Sequence, residues 1–299
     1  MVVLLAGGTG GAKLARGLLD AVGDELTVIA NTGDDVELLG AYVSPDPDLV
    51  TFWLADRIDG RGWGLRGDTF AVMDGLRELG EDVWFNLGDR DLALCVRRAR
   101  RLAEGARLTE AIDEARTALG VTARVLPATD DPVRTHVRAA GRWWPFQEFM
   151  IRHGSQGPVE GVELRGATEA APTPEVLDAL ATARTIVIGP SNPVISIGPM
   201  LAVPGLRDAL AAAPAPVVAV SPLVGGEVLK GPTAAFMKHA GHPLRADGVV
   251  AAYDGLLGGL VADERASGVP TLETDVRMDT AEDRRRVARE TLAFAAALG

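Results

Sequence analysis

MVVLLAGGTGGAKLARGLL, residues 1–19, sets an apolar run, a cluster of glycines and a helical pattern in immediate succession. The run VVLLA (2–6) is short, rich in aliphatic side chains and closed by glycine, which predicts a buried strand. Leu14, Leu18, Leu19 and Val22 recur at helical spacing, so a helix over 11–22 follows. Glycines between such elements let backbone N–H groups approach phosphate oxygens, and the helix N-terminus adds its dipole. The turn fits neither familiar fingerprint. Ala12 and Leu14 flank Lys13 where a nucleoside-triphosphatase loop needs glycine before the lysine and a hydroxyl after it. The dinucleotide pattern starting at Gly8 runs through Gly10 and fails at Lys13. Asn31 stands at the end of the second apolar run, where a nicotinamide site has an acid for the ribose.

Outward from this unit, short apolar runs alternate with amphipathic stretches. That alternation predicts an α/β class, Rossmann-like, with a mainly parallel sheet flanked by helices. Expected strands are 2–6, LTVIA (26–30), VWFNL (83–87), ARVLPA (123–128), TIVIG (185–189), PVVAV (216–220) and GVVAAY (248–253). Expected helices are 11–22, 68–79, 90–104, 109–119, 174–183, 206–212, 233–240 and 280–297. Thr173 followed by Pro174 is a cap-and-proline start for 174–183. Residues 129–166 differ: RTHVRAAGRWWPFQEFMIRHG sets aromatic and β-branched residues beside turn residues, which predicts a β-hairpin flap. Residues 90–120 read as a helical insertion. No boundary separates these parts, so residues 1–299 are expected to form one catalytic unit.

Composition narrows the function classes. A chain of 299 residues that is 47% apolar can bury a full core. No run of about eighteen apolar residues is free of charge or breakers, which argues against a membrane span. The chain opens on a strand rather than on the basic and apolar regions of a signal peptide. One cysteine, Cys95, excludes a disulfide framework or cysteine metal cluster within one chain and reads as a buried thiol. A cytoplasmic location is expected. The net charge of −11 argues against a general nucleic-acid surface. Of thirty basic residues only Lys13, Lys230 and Lys238 are lysines, each near a glycine-rich segment.

Polar or glycine-rich loops recur where strands are expected to end: NTGDD (31–35), SPDPD (44–48), NLGDRD (86–91), GPSNPVISIGP (189–199) and SPLVGG (221–226), the last followed by LKGPT (229–233). Ligands of open parallel sheets bind outside the carboxyl ends of strands, so these loops predict one composite site. Asp34, Asp35, Asp46 and Asp48 suit a hard divalent cation, which takes one or two carboxylates plus substrate phosphates. The same acids also suit solvated turns and helix caps. His136, His153, His239 and His242 lack zinc spacing, and no nucleophile triad is visible. The chemistry indicated is positioning plus charge stabilisation, as in phosphoryl transfer without a covalent intermediate.

GGTGGAK (7–13), NTGDD, SPDPD, GWGLRGDTF (62–70), NLGDRD, FQEF (146–149) and GPSNPVISIGPML (189–201), in this order, together resemble the 2-phospho-L-lactate transferase family of coenzyme F420 biosynthesis. The resemblance runs from residue 1 to about 280 and includes the actinobacterial phosphoenolpyruvate transferase branch. It implies an acceptor, the deazaflavin Fo, and a donor, a guanosine diphosphate ester of lactate or enolpyruvate. It further implies GMP release, F420-0 or its dehydro form as product, a requirement for Mg²⁺, and a homodimer. By position it implies donor contacts from Gly7, Gly8, Thr9, Gly10, Lys13, Ser191, Asn192 and Pro193. It implies Fo contacts from Asp48, Asn86, Gly88, Asp89, Arg90, Gln147 and Glu148. Asp35, Asp46 and Asp48 become the expected metal ligands, with Asp48 or Asp35 beside the attacking hydroxyl. Pro47 departs from the family, which has leucine between the two acids of SPDPD. Trp53, Phe70, Trp84 and Phe146 are available as apolar walls for a planar ring, or as core. Alternatives are another nucleotide-dependent phosphotransferase, including a related group linked to cell shape, or a nucleotide- or flavin-binding protein. The GDRD and FQEF motifs favour the F420 branch.

Overall fold

A computed structural model describes residues 1–228 and 231–299. Lys230 and part of LKGPT therefore lie outside the described residues. In chain order the first elements are β1 (Val2–Ala6), α1 (Gly8–Val22), β2 (Leu26–Ala30), β3 (Val36–Leu38), β4 (Ala41–Val43) and α2 (Pro45–Leu54). Helices α3 (Ala71–Glu78), α4 (Asp89–Ala103) and α5 (Leu108–Ala118) precede β5 (Arg124–Pro127). Then come β6 (Arg134–Ala139), β7 (Arg142–Pro145), α6 (Phe146–Ile151), β8 (Gly161–Arg165), α7 (Pro174–Ala181) and β9 (Thr185–Ile188). A π-turn (Pro193–Ile197) leads to α8 (Gly198–Leu201), α9 (Leu206–Ala211), β10 (Val217–Val220), β11 (Leu223–Val224) and β12 (Glu227–Val228). The chain closes with α10 (Thr233–His239), α11 (Ala246–Tyr253), β13 (Gly259–Ala262), β14 (Thr271–Glu273) and α12 (Ala281–Leu298).

Seven strands form one parallel sheet in the order β14-β13-β10-β9-β1-β2-β5. Successive side chains of a strand point to opposite faces, so each strand feeds two cores. Val3, Leu5, Ile29, Ile186 and Ile188 pack on one side with α7, α9 and α11. Val2, Leu4, Val28, Val187 and Val218 pack on the other with α1, α2 and α12. The expected α/β class, a mainly parallel sheet flanked by helices, holds.

Several local expectations fail. VWFNL (83–87) is not a strand; it runs as coil between α3 and α4, with Val83, Phe85 and Leu87 packed on the β3–β4 hairpin. GVVAAY (248–253) is not a strand but the body of α11. The strand at 259–262, beside β10, and the edge strand at 271–273 take the places left open. SPDPD is no loop beyond a strand: Pro45 is the first residue of α2, with Asp46 and Asp48 in its first turn. The flap is a three-stranded antiparallel sheet, β7-β6-β8, rather than a single hairpin. Among the described residues no helix is long and apolar enough to cross a membrane.

Candidate active site

The winding direction reverses between β1 and β9, and ligands of such sheets bind in the crevice beyond their carboxyl ends. Here the glycine turn is fixed largely by packing. A Cβ on Gly10 would stand 2.1 Å from the Pro190 carbonyl oxygen, and one on Gly11 would meet Ser191 Oγ at 2.8 Å. Only Gly8 needs glycine for its conformation, with φ +66° and open space around it. Gly7 N–H donates to Ser191 Oγ (3.1 Å) and Gly8 N–H to Asp46 Oδ1 (2.7 Å). Asn31 Nδ2 donates to the other oxygen of Asp46 (2.9 Å). Asn192 Oδ1 accepts the N–H groups of Val194 and Ile195 and so caps the π-turn that Pro193 opens. Its buried Nδ2 has no partner among the described residues. Thr9 and Gly10 lie in the first turn of α1, whose N–H groups lack intrahelical acceptors. Lys13, one turn on, stands 3.7 Å from Asp279.

The four predicted acids are all buried, and their partners sort them. Asp46 has both oxygens engaged, by Gly8 and Asn31. Asp48 faces Arg98, whose Nη1 donates to Oδ2 (3.0 Å) while Nη2 pairs with Oδ1. Asp35 takes the Ser44 hydroxyl on Oδ1 (2.8 Å), the Tyr42 hydroxyl also favours its ionised form, and its Oδ2 has no hydrogen-bond partner among the described residues. Asp34 Oδ1 is unpartnered as well. Burial, with the charges of Asp46 and Asp35 nearby, pushes the Asp34 carboxyl well above the usual range. Burial lifts Asp35 to about 7 against the opposing pull of Arg134, and lifts Asp46 to about 6. Carboxyls buried this close share a need for a counter-cation once ionised. Thus the free oxygens belong to Asp34 and Asp35, whereas Asp46 and Asp48, two of the three expected metal ligands, are already engaged by the protein.

Two cavities meet over these acids. One, of about 230 Å³, is lined by Phe52, Phe70, Phe85, Leu65 and Leu87, with Asp46, Asp48 and Asp91 at its floor. Asn86 and Gly88 also line it, as the resemblance implied. The other, of about 220 Å³, lies between Asp34, Asp35, Arg134, Thr135, His136 and Phe146. Gln147 belongs to both and donates to the Asp34 carbonyl (3.4 Å). Glu148, beside it, is ion-paired to Arg152 at 3.8 Å. Asp89 does other work: its carboxylate accepts Ala71 N–H, Val72 N–H and the Thr69 hydroxyl, capping α3. Asp68, from GWGLRGDTF, caps α4 in return through the N–H groups of Arg90 and Asp91. This reciprocal capping ties the two motifs together and leaves the Arg90 side chain exposed, outside the lining of either cavity. Of the four suggested aromatic walls, Phe70 and Phe146 line cavities, Trp53 is core under Arg284, and Trp84 stacks on Phe85.

Arg98 and Asp91 are site residues that the motif reading passed over. Asp91, Cys95 and Arg98 are spaced i, i+4 and i+7, one face of α4, and that spacing was the available signal. Burial and the Asp48 charge raise Asp91 to about 7, and burial pushes the Cys95 thiol up.

With this geometry in place, residues 2–293 match the family described as 2-phospho-L-lactate transferase CofD. The chain belongs to that family. A phosphoenolpyruvate transferase from Kitasatospora aureofaciens is 42% identical over 98% of this chain and 97% of its own length. A 2-phospho-L-lactate transferase from Methanosarcina mazei is 39% identical over 88% of this chain and 87% of its own. A crystal structure of a UPF0052 family member from Bacillus halodurans superposes with a TM-score of 0.63 at 19% identity, covering 97% of this chain and 99% of that one. That last likeness concerns the fold alone. A CofD family member is an enzyme of the transferase kind, consistent with a site built from crevice, acids and cavity rather than from a nucleophile.

Proposed function

We propose that the protein transfers 2-phospholactate or phosphoenolpyruvate from a guanosine diphosphate ester to the ribityl hydroxyl of the deazaflavin Fo, in coenzyme F420 biosynthesis. The observation that carries this reading is the meeting, at one sheet edge, of the switch-point crevice and an aromatic-walled cavity, with buried acids between them. The crevice, with Gly7, Gly8, Thr9, Gly10, Ser191, Asn192 and Pro193, takes the guanosine diphosphate side, and Lys13 adds positive charge near it. The cavity takes the planar acceptor between Phe52, Phe70 and Phe85, with Asn86 and Gly88 at the rim, Arg90 outside its lining, and Gln147 and Glu148 on the flap side.

The acceptor hydroxyl oxygen attacks the phosphorus that bears the organic acid. A new O–P bond forms, the bond to the second phosphate breaks, and GMP leaves with the electron pair. Asp48 orients the hydroxyl and is placed to take its proton. The unpartnered oxygens of Asp34 and Asp35 fit a divalent cation, and Mg²⁺ held there would neutralise charge on the departing phosphate. We place the enzyme in the cytoplasm as a homodimer, on the resemblance of the family.

The test is incubation with Fo, Mg²⁺ and each donor in turn, following product mass and GMP. Turnover with one donor is expected and identifies the branch. Absence of GMP release with both donors, in protein that binds Fo, overturns the reading.

A further inference from the structure

The buried arginine of α4 has no place in the motifs, yet it makes the closest contacts to a predicted catalytic acid. Arg98 is 2% exposed. Its guanidinium grips both oxygens of Asp48 and also donates to the Tyr42 carbonyl in β4 (3.0 Å). It thereby joins α4, α2 and β4 at one point beneath the acceptor cavity. A planar fork of this kind fixes a carboxylate in orientation as well as in charge, which an ammonium cannot do. Asp91 and Cys95 complete the surroundings, their ligand atoms and that of Asp48 lying within 4.8 Å of one another.

We infer that Arg98 is the positioning residue of the acceptor side: it holds Asp48 as a fixed hydrogen-bond acceptor facing the aromatic cavity and withdraws it from the metal. The inference rests on the reading of that cavity as the Fo site. It divides the acids by task. Asp34 and Asp35, each with an unpartnered oxygen, serve the cation; Asp48, held by Arg98 with one contact to each oxygen, keeps lone pairs toward the cavity and serves the hydroxyl. Arg98 touches no substrate and acts on the hydroxyl through Asp48.

The experiment compares wild type with Arg98→Lys, which keeps the charge and loses the fork, and with the neutral pair Arg98→Gln/Asp48→Asn, which leaves no buried charge should the single variant fold poorly. Steady-state kinetics are read separately for acceptor, donor and Mg²⁺, and Fo binding is read by its own fluorescence. For Arg98→Lys, kcat/KM for the acceptor falls on the order of 100-fold, as for a misplaced orienting group, with the donor KM and the Mg²⁺ activation constant within about twofold of wild type. The neutral pair folds and shows the same acceptor defect. A purely structural role would lower kcat in proportion to folded protein and leave every KM unmoved, and that result overturns the inference. So does a large rise in the Mg²⁺ activation constant, which would make Asp48 a metal ligand. If wild type binds Fo but turns over neither donor, the functional reading fails on its own. Weaker Fo binding by Arg98→Lys would then still support the inference, and unchanged binding would overturn it.

Discussion

The glycine turn after β1 and the acid-bearing segment 34–48 lie side by side over the sheet, yet they are specified in opposite ways. The turn's requirement is written in its own residues, although the loop that imposes it lies far along the chain, with Gly7 bound to Ser191 184 positions on. Gly10 and Gly11 are small because the β9 loop presses against them, and only Gly8 is there for its backbone angle. The acids carry no such record in their own segment: Asp48 is paired by a residue 50 positions on, and Asp46 is bound by a backbone N–H 38 positions back. A short motif therefore marks the turn well, whereas the task of each acid depends on partners that no short motif contains.

Four predictions break or sharpen this contrast. The largest effect of a single substitution is expected for Arg98→Met, which strands the Asp48 carboxylate in the core. Denaturant unfolding should show a loss of about 3–5 kcal/mol. An unchanged midpoint would mean that the pair is solvated and the far-partner account wrong.

Next comes the pH dependence. The folded-state values of Asp35, Asp46 and Asp91 are raised to about 7, 6 and 7, above the ordinary carboxyl range near 4. Between those limits the unfolded chain ionises while the folded protein stays protonated, so the unfolded state binds fewer protons. Stability of metal-free protein should fall as pH rises from about 4 to 7, by up to about 1.4 kcal/mol per pH unit for each acid, and then level off. Thermal melts across this range check the sign, and stability rising over it would refute the burial of the cluster.

Gly10→Ala forces a methyl against the Pro190 carbonyl and should cost about 1–3 kcal/mol or more, while Gly8→Ala, strained only at φ, should cost about 1–2 kcal/mol. Equal costs would remove the distinction between packing and conformation. The smallest effect is Asp89→Ala, which uncaps α3 at about 1 kcal/mol by chemical denaturation. A collapse of acceptor binding with no loss of stability would instead make Asp89 a substrate contact.

Much of the fold was legible because the seven-strand sheet writes alternating buried runs and amphipathic helices into the chain. The failures have physical causes. GVVAAY carries strand-forming residues, but Ala246, Val249 and Tyr253 share the core at i, i+3 and i+7, a helical period. VWFNL has the composition of a strand but no neighbour to pair with, since it spans the gap between two helices that cap each other. In SPDPD, proline and two acids form a helix start, and the turn-like composition hid it. That NTGDD and GPSNP border one crevice at the sheet edge was legible from their places after expected strands. The division of labour proposed for the acids was not, because it is argued from the Arg98 pairing and from which oxygens lack a partner.

The central claim is that this division is real, and metal binding tests it most directly. Mn²⁺ in place of Mg²⁺, titrated by electron paramagnetic resonance at saturating GDP, gives an affinity for wild type, Asp35→Asn and Asp48→Asn without recourse to turnover. The account predicts that Asp35→Asn binds the ion about 10–100-fold more weakly, with Asp48→Asn close to wild type. The reverse order, with Asp48→Asn weakened and Asp35→Asn unaffected, would contradict it.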